Sequence, residues 1–451
     1  MNAKIYAASV ELDKSLYPYG EEPFTLHQRK RRFTSVHDEA ILIAGKSAGM
    51  CYSNDDFFEK LAKDDEGAAR RFDRVVGNHH HSVAEHAQVE VVLSGISKVL
   101  AMILNNQGVY NTSEKSGRYT TMTGDTELEK SLYKKWHAIF YDKLIKMDAV
   151  TDESHANKLA NENARYMLNI FSPMVNMCYT CSIARWTYLV QWMEEFVSKW
   201  EMLEYGSYYD MKLKDDPYAY YCSRLCKEFE DFCFHIRRLG LYIPELVNKK
   251  GRSIDTLDKY QDILPNPYTP HIRQTDDEKN VWPECLDARF NDGVITTRFT
   301  ASYASLAQLQ RHRTAKFEMS ILDGSGAFNL DNFYVPKLLL DDEDLDKEWI
   351  NDLKSLHDVN VIPIASKLMC KMTVTFDNFV LMMMERCCGR AQLETMHVVS
   401  GTHSQLWNYY ADYVAACQRN DIKSASFTKC QKQQCSEPCS FIKNGLIGRW
   451  F

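Results

Sequence analysis

Glycine and proline are scarce, at 19 and 12 of 451 residues. So few chain breakers argue against long disordered linkers and for a helix-rich fold. Positive charge is not in excess either: 54 Lys and Arg stand against 61 Asp and Glu, a net charge of -7. Bulk charge therefore gives no reason to expect nucleic acid, and any polyanion site must be a local gathering of arginines. No apolar stretch approaches the roughly 18 uninterrupted residues of a membrane span. The start, Met1 to Tyr6, lacks the apolar core of a secretory leader. The 14 cysteines are scattered, without the framework of a small disulfide-stapled domain. Cys430, Cys435 and Cys439 sit close together, yet their spacing is not a strong zinc pattern and offers no evident fourth ligand. A cytoplasmic protein with reduced thiols and no metal is expected, and the length suggests two or three domains.

What the chain does have is Gln308-Leu-Gln-Arg311-His312-Arg313, at the end of a run with helical spacing (Tyr303, Leu306, Leu309). Alone, such a cluster is most often a solvated basic face. Arg forks also match phosphate oxygens, and a fold tolerates crowded cations more easily where an anion is expected. The strand-like alternation from Gly293 to Ala301 precedes it. A similar unit stands two hundred residues earlier. There Ala87, Val89, Val91 and Leu93 alternate with polar neighbours, Gly95 breaks the pattern, and Val99, Leu100, Ile103 and Leu104 follow at helical spacing. Asn106-Gln107-Gly108 then occupies the place of Arg-His-Arg, followed by Glu114-Lys-Ser116-Gly117-Arg118-Tyr119.

A second pair of segments matches in the same order. Asn163-Ala164-Arg165 leads to Cys181-Ser-Ile-Ala184-Arg185 and a helical Trp186–Trp200. Asn360-Val-Ile-Pro363 leads to Met372–Asp377 and a helical Asn378–Glu394, which carries Arg386 and Arg390. Asn54 reads as a further helix cap, before Asp55 and Asp56. An internal duplication of roughly 200 residues is expected, with Tyr242 to Asp287, rich in turn formers, as the connector. The expected domains are residues 1–238, a connector over 239–285, and residues 286–451.

These residues together resemble the flavin-dependent (alternative) thymidylate synthases, as a diverged tandem form. That family carries Arg-His-Arg followed by a Ser-Gly-Arg loop, an upstream His-x-Ser-x-x-Glu-His segment, and a downstream Arg-rich helix ending Ala-Gln-x-Glu. Here the parts are divided. The first half has His80-His-Ser82-Val-Ala-Glu85-His86 and Ser116-Gly117-Arg118. The second has Arg311-His312-Arg313, with six rather than seven residues before Ser320, and Arg386-Cys-Cys-Gly-Arg390-Ala-Gln-Leu-Glu394.

The resemblance implies an α+β fold in each half, helix-rich with a small sheet. It implies transfer of a one-carbon unit from methylenetetrahydrofolate to C5 of dUMP, with FAD as cofactor and NADPH as reductant. The dUMP residues would be Gln308, Arg311 and Arg386 from the second half, with Glu114, Ser116, Gly117, Arg118 and Arg165 from the first. Arg386 would be catalytic, its fixed charge favouring negative charge on the uracil ring. His80, Ser82, Arg185, Arg311, His312, Arg313 and Arg390 would hold FAD. The reciprocal combination has lost its parts: Ile103 stands for the Gln, and Glu194 for the helix Arg. One kind of composite site is thus expected, built by both halves, with two chains forming a pseudo-tetramer. A related C5 pyrimidine-nucleotide modifying enzyme and a silent nucleotide-binding homologue are the alternatives. His79, His80, His81 and His86 do not suggest a metal site: on a helix the outer two stand ~10 Å apart, and on a strand neighbours point to opposite faces.

Overall fold

The structure is a computed structural model. It describes residues 1–9, 35–50, 66–107, 109–117, 120–148, 150–204, 217–247, 285–291, 294–311, 313, 315–320 and 332–375. Arg118, His312, Arg386, Arg390, the cysteines of the tail, Asn54 and the helix expected over 378–394 lie outside these residues, as does most of the expected connector.

The fold is α+β, helix-rich, with two small sheets. In chain order the first half contains β1 (Asn2–Ala8), α1 (Val36–Met50), α2 (Glu66–Gly77), β2 (Gln88–Ile96), α3 (Lys98–Leu104) and β3 (Asn111–Glu114). It continues with α4 (Glu127–Leu144), α5 (Glu153–Ala164), β4 (Val175–Ser182), α6 (Ile183–Glu204) and α7 (Pro217–Arg238). The second half contains β5 (Cys285–Asn291), β6 (Val294–Ser302), α8 (Tyr303–Leu309), β7 (Lys316–Ser320), α9 (Glu343–His357) and β8 (Lys367–Thr375).

The strands form two antiparallel sheets, ordered β1-β2-β4-β3 and β5-β6-β8-β7. The alternation read from the sequence settles on β2: Val89, Val91 and Leu93 are buried on one face. Gly95 bends the strand rather than ending it. Its φ of +66° is one that glycine adopts without steric cost, and the register shifts between Ser94 and Ile96. Both short helices start from a serine cap. Ser97 Oγ accepts the Leu100 N–H, and Ser302 Oγ accepts the Ser305 N–H. The helix expected from Trp186 begins three residues earlier, at Ile183, directly off β4.

Two of the contacts that join the halves lie away from the short helices α3 and α8. The first is backbone pairing of the segments that precede β4 and β8: Ile170 donates to the Ile362 carbonyl at 2.9 Å, and Ile364 to the Leu168 carbonyl at 2.8 Å. The second is packing of α4 on α9. The Trp136 and Trp349 rings meet edge to face at 4.8 Å, and Trp136 Nε1 donates to Asp352 Oδ2 at 2.9 Å.

Candidate functional site

The ends of α3 and α8 meet at the seam between the two sheets. Asn106 Nδ2 donates to the Phe317 carbonyl at 2.7 Å. Arg313 donates to the Tyr110 carbonyl at 2.7 Å and to Asn111 Oδ1 at 2.6 Å, with its guanidinium 5.3 Å from the Tyr110 ring centre. Arg313 therefore works as a clamp between the halves. Beside this seam opens a cleft of about 270 Å³, near the small end of the range for small-molecule sites, roughly 300–1,000 Å³.

The first half contributes Lys98, Glu114, Lys115, Ser116, Gly117 and Arg165 to the walls of the cleft. The second contributes Ala304, Ala307, Gln308, Arg311 and Ile364. Six of the dUMP residues expected from the sequence, Glu114, Ser116, Gly117, Arg165, Gln308 and Arg311, thus border one space.

Local structure explains their placement. β3 ends at Glu114, and the Lys115 N–H extends its pairing to the Asn176 carbonyl at 2.9 Å. The chain then turns: the Ser116 carbonyl accepts the Thr120 N–H and hydroxyl, at 3.2 and 2.8 Å. Glycine at 117 leaves room for its neighbours: a Cβ there would fall 2.6 Å from Met122 Sδ and 3.3 Å from Arg165 Cδ, so a larger residue must displace these side chains. Arg165 opens a short 3-10 turn after α5. Buried Glu129 steadies the chain just beyond it. One carboxylate oxygen closes a capping box with Thr126, and the other accepts the Asn169 N–H at 2.9 Å and the Ser172 hydroxyl at 3.0 Å.

Four cationic side chains, Lys98, Lys115, Arg165 and Arg311, face this cleft with one carboxylate, Glu114, among its described lining residues. Glu114 is buried, its side chain 8% exposed. Lys98 Nζ lies 2.5 Å from Oε1. Asn105 Nδ2 donates to Oε2 at 2.9 Å, and Arg311 Nη1 stands 3.6 Å from Oε2. Burial alone would raise the Glu114 carboxyl. The Lys98 charge and hydrogen bond, the Arg311 charge and the Asn105 amide outweigh it and hold the group below the ordinary carboxylate range. The surplus positive charge suits an anion with more than one negative charge, such as a phosphate monoester.

The expected flavin residues divide. Arg311 lines the cleft and Arg313 stands at its seam. His80, Ser82 and Arg185 lie elsewhere, before the start of β2 and after the end of β4. Lys98 follows the other end of β2, so the two groups are separated by a nine-residue strand, about 25 Å. In that second cluster Arg185 Nε pairs with Glu85 Oε1 at 3.1 Å, and the Ser182 hydroxyl donates to Glu85. His79 adopts φ +66°, and His81 to Glu85 form a 3-10 turn, so the histidines follow neither a helix nor a strand. Burial, and then the neighbouring charge of His79, lower the His81 pKa. Among the described residues no group of three or more His, Cys, Asp or Glu could hold a metal ion. No described helix is long and apolar enough to cross a membrane.

Sequence reasoning missed Lys98 and Lys115. A signal for Lys98 existed: a lysine directly after a serine cap opposes the helix dipole and calls for a carboxylate partner.

No curated protein matches the chain. A solved structure described as thymidylate synthase X from Helicobacter pylori with FAD and dUMP is 14% identical, covering 55% of this chain and 100% of that chain with a TM-score of 0.27. The family model for thymidylate synthase complementing protein matches residues 34–206, a span that includes Lys98, the loop from Glu114 to Gly117, Arg165 and Arg185. Over residues 34–206, less than half of its length, this chain is similar to the thymidylate synthase complementing protein family.

Proposed function

We propose that the protein is a flavin-dependent thymidylate synthase whose nucleotide site is the cleft between the two halves. The observation that carries this reading is the meeting of Glu114, Ser116, Gly117 and Arg165 with Gln308 and Arg311 around one space. Arg165 and Arg311, with the loop at Ser116 and Gly117, would take the 5′-phosphate of dUMP, while Glu114 would accept a ribose hydroxyl. Gln308 and Arg386 would face the base, where a fixed cation stabilises charge developing on uracil. FAD, when bound, supplies the hydride and one-carbon chemistry, with NADPH and methylenetetrahydrofolate as co-substrates. This chain's residues bind, orient and polarise the nucleotide.

The chain also reads as a tandem duplication with one working cleft. In support, the sheets share one strand order, and α3 and α8 share one cap and one length. Counting from those caps, Ala304, Ala307 and Gln308 correspond to Val99, Met102 and Ile103, all fully buried. The side chains that leave room on one helix fill it on the other. Because the cluster of His80, Ser82 and Arg185 sits a strand length from the cleft, a second copy of the chain would bring it to the site, as in a homodimer.

The test is a product assay. Purified protein, FAD, NADPH, methylenetetrahydrofolate and dUMP are incubated, and the nucleotides are read by mass spectrometry beside Arg165→Ala and Arg311→Ala. Thymidylate from the wild type, lost in both variants, is the expected result. A hydroxymethylated product would move the reading to a related C5 modifying enzyme. No product at saturating flavin and reductant would refute the synthase.

A further inference from the structure

We propose that Lys98 is a positioning residue of this cleft: its ammonium fixes the Glu114 carboxylate as the acceptor for the ribose of a pyrimidine nucleoside monophosphate. The inference rests on reading the cleft as a dUMP site. Three observations support it.

The first is geometry. Glu114 accepts hydrogen bonds from Lys98 and Asn105, and Lys98, at 2.5 Å, is the charged donor; Arg311 is an ion-pair partner further off, at 3.6 Å. Tyr110 also senses the charge of Glu114. Lys98 from α3, Arg311 beyond α8, and the uncharged Asn105 and Tyr110 are thus the groups that surround this carboxylate. Removing Lys98 leaves a buried carboxylate with one distant cation, a state that favours protonation or reorientation.

The second is the comparison of the halves. Leu93, four residues before the Ser97 cap, pairs with Met177, and Met177 pairs with Glu114. Arg298, four residues before the Ser302 cap, pairs with Lys371, and Lys371 pairs with Glu318. The register shift at Gly95 has no counterpart in β6, so the matching position is one residue further on: Met319, which pairs with buried Cys370 as Glu114 pairs with buried Met177, takes in the second sheet the place of Glu114 in the first. Neither member of the pair recurs in the second half: a methionine stands for the glutamate, and the residue after the Ser302 cap is Tyr303, fully buried. The lysine accompanies the glutamate that borders the cleft.

The third is the helix itself. A cation in the first turn of α3 faces the positive end of the helix dipole, so helix formation gives no reason for Lys98. Its partner Glu114 and its place on the cleft wall do.

The experiment is a double-mutant cycle read as the Kd for dUMP by calorimetry on the full chain. Lys98→Met and Glu114→Gln are each expected to weaken binding by about tenfold or more. In the Glu114→Gln background, Lys98→Met is expected to change Kd by less than about twofold, the mark of a residue acting through another. Lys98→Arg, which keeps the charge, is expected to bind within about threefold of wild type. Additive losses would mean that Lys98 meets the ligand directly, and a neutral Lys98→Met would mean that it does nothing; either overturns the proposal. If the wild type binds no dUMP, the function proposed above fails on its own. Lys98 is then judged by acid unfolding. Lys98→Met must be less stable than wild type at neutral pH, must lose less further stability as pH falls through the carboxylate range, and must leave the profile of Glu114→Gln unmoved; parallel profiles for wild type and Lys98→Met refute it.

Discussion

Arg311 and Glu114 approach to 3.6 Å across the seam between the two halves of the chain. They come from segments separated by about two hundred residues, yet both border the same cleft. Arg311 thus reaches the cleft and its carboxylate at once. Arg311→Ala is expected to raise the Kd for dUMP by about tenfold, since it removes one of the two arginines proposed to take the phosphate. Lys98 and Asn105 still hold Glu114 in this variant, so the fold should survive, and circular dichroism should show it. Unchanged affinity would remove Arg311 from the site.

Gly117 tests the shape of the phosphate loop. Its missing Cβ leaves room for Met122 Sδ and the Arg165 stem. Gly117→Ala should displace both, weakening dUMP binding several-fold, while stability changes by less than about 1 kcal/mol because the thioether is flexible. Gly117→Ala combined with Met122→Ala should recover part of the affinity. Failure of that rescue would point to Arg165 or the loop backbone as the strained element.

Much of this arrangement was legible in the sequence, and the reason is local periodicity. The alternation at Val89, Val91 and Leu93 marked β2, and the helical spacing at Val99 and Leu306 marked α3 and α8. The order of the motifs implied that Gln308 and Arg311 would face Glu114, Ser116 and Gly117. What escaped was tertiary. β1 is an edge strand whose exposure does not alternate cleanly, so it has no clear pattern of its own. The shift of register at Gly95, after which Met319 and not Glu318 stands in the place of Glu114, leaves no mark in the motifs. The distance between His80 and the cleft could not be read, because nothing in a motif says which end of a strand it occupies.

Tyr110 provides a pH signature of the seam. Burial first, and the charge of Glu114 to a lesser degree, raise its pKa to about 12, against the opposing pull of Arg311 and Arg313. An unfolded tyrosine titrates near 10. The folded protein thus holds this proton more tightly. The stabilisation is complete below pH ~10 and is lost as pH rises towards about 12. Tyr110→Phe should lose less stability than wild type over that interval in denaturant titrations. Parallel slopes would show that the phenol does not titrate with unfolding.

The contact of α4 with α9 should make the two halves unfold together. Trp349 is fully buried against Trp136 and Phe140, and its Nε1 donates to the Tyr334 carbonyl at 2.9 Å. Trp349→Ala is expected to cost ~3–5 kcal/mol and to separate one denaturant transition into two. A loss below about 1 kcal/mol would mean that the backbone pairing of Ile170 with Ile362 suffices to hold the seam.

The separation of the two residue clusters along β2 predicts complementation between chains. In the proposed site, one chain supplies the nucleotide cleft, and a second copy supplies His80, Ser82 and Arg185. Arg165→Ala damages the cleft and leaves the other cluster intact. Arg185→Ala frees Glu85 from its 3.1 Å partner and damages that cluster alone. Arg165→Ala homodimers should still bind flavin but bind dUMP weakly; Arg185→Ala homodimers should do the reverse. Each alone should make little thymidylate. When the two are unfolded together and refolded, about half of the dimers are mixed. Each mixed dimer pairs one intact cleft with one intact cluster, so about a quarter of wild-type activity should return. If activity stays at the level of the separate variants while mixed dimers form, the cleft and the histidine cluster do not share a site across two chains.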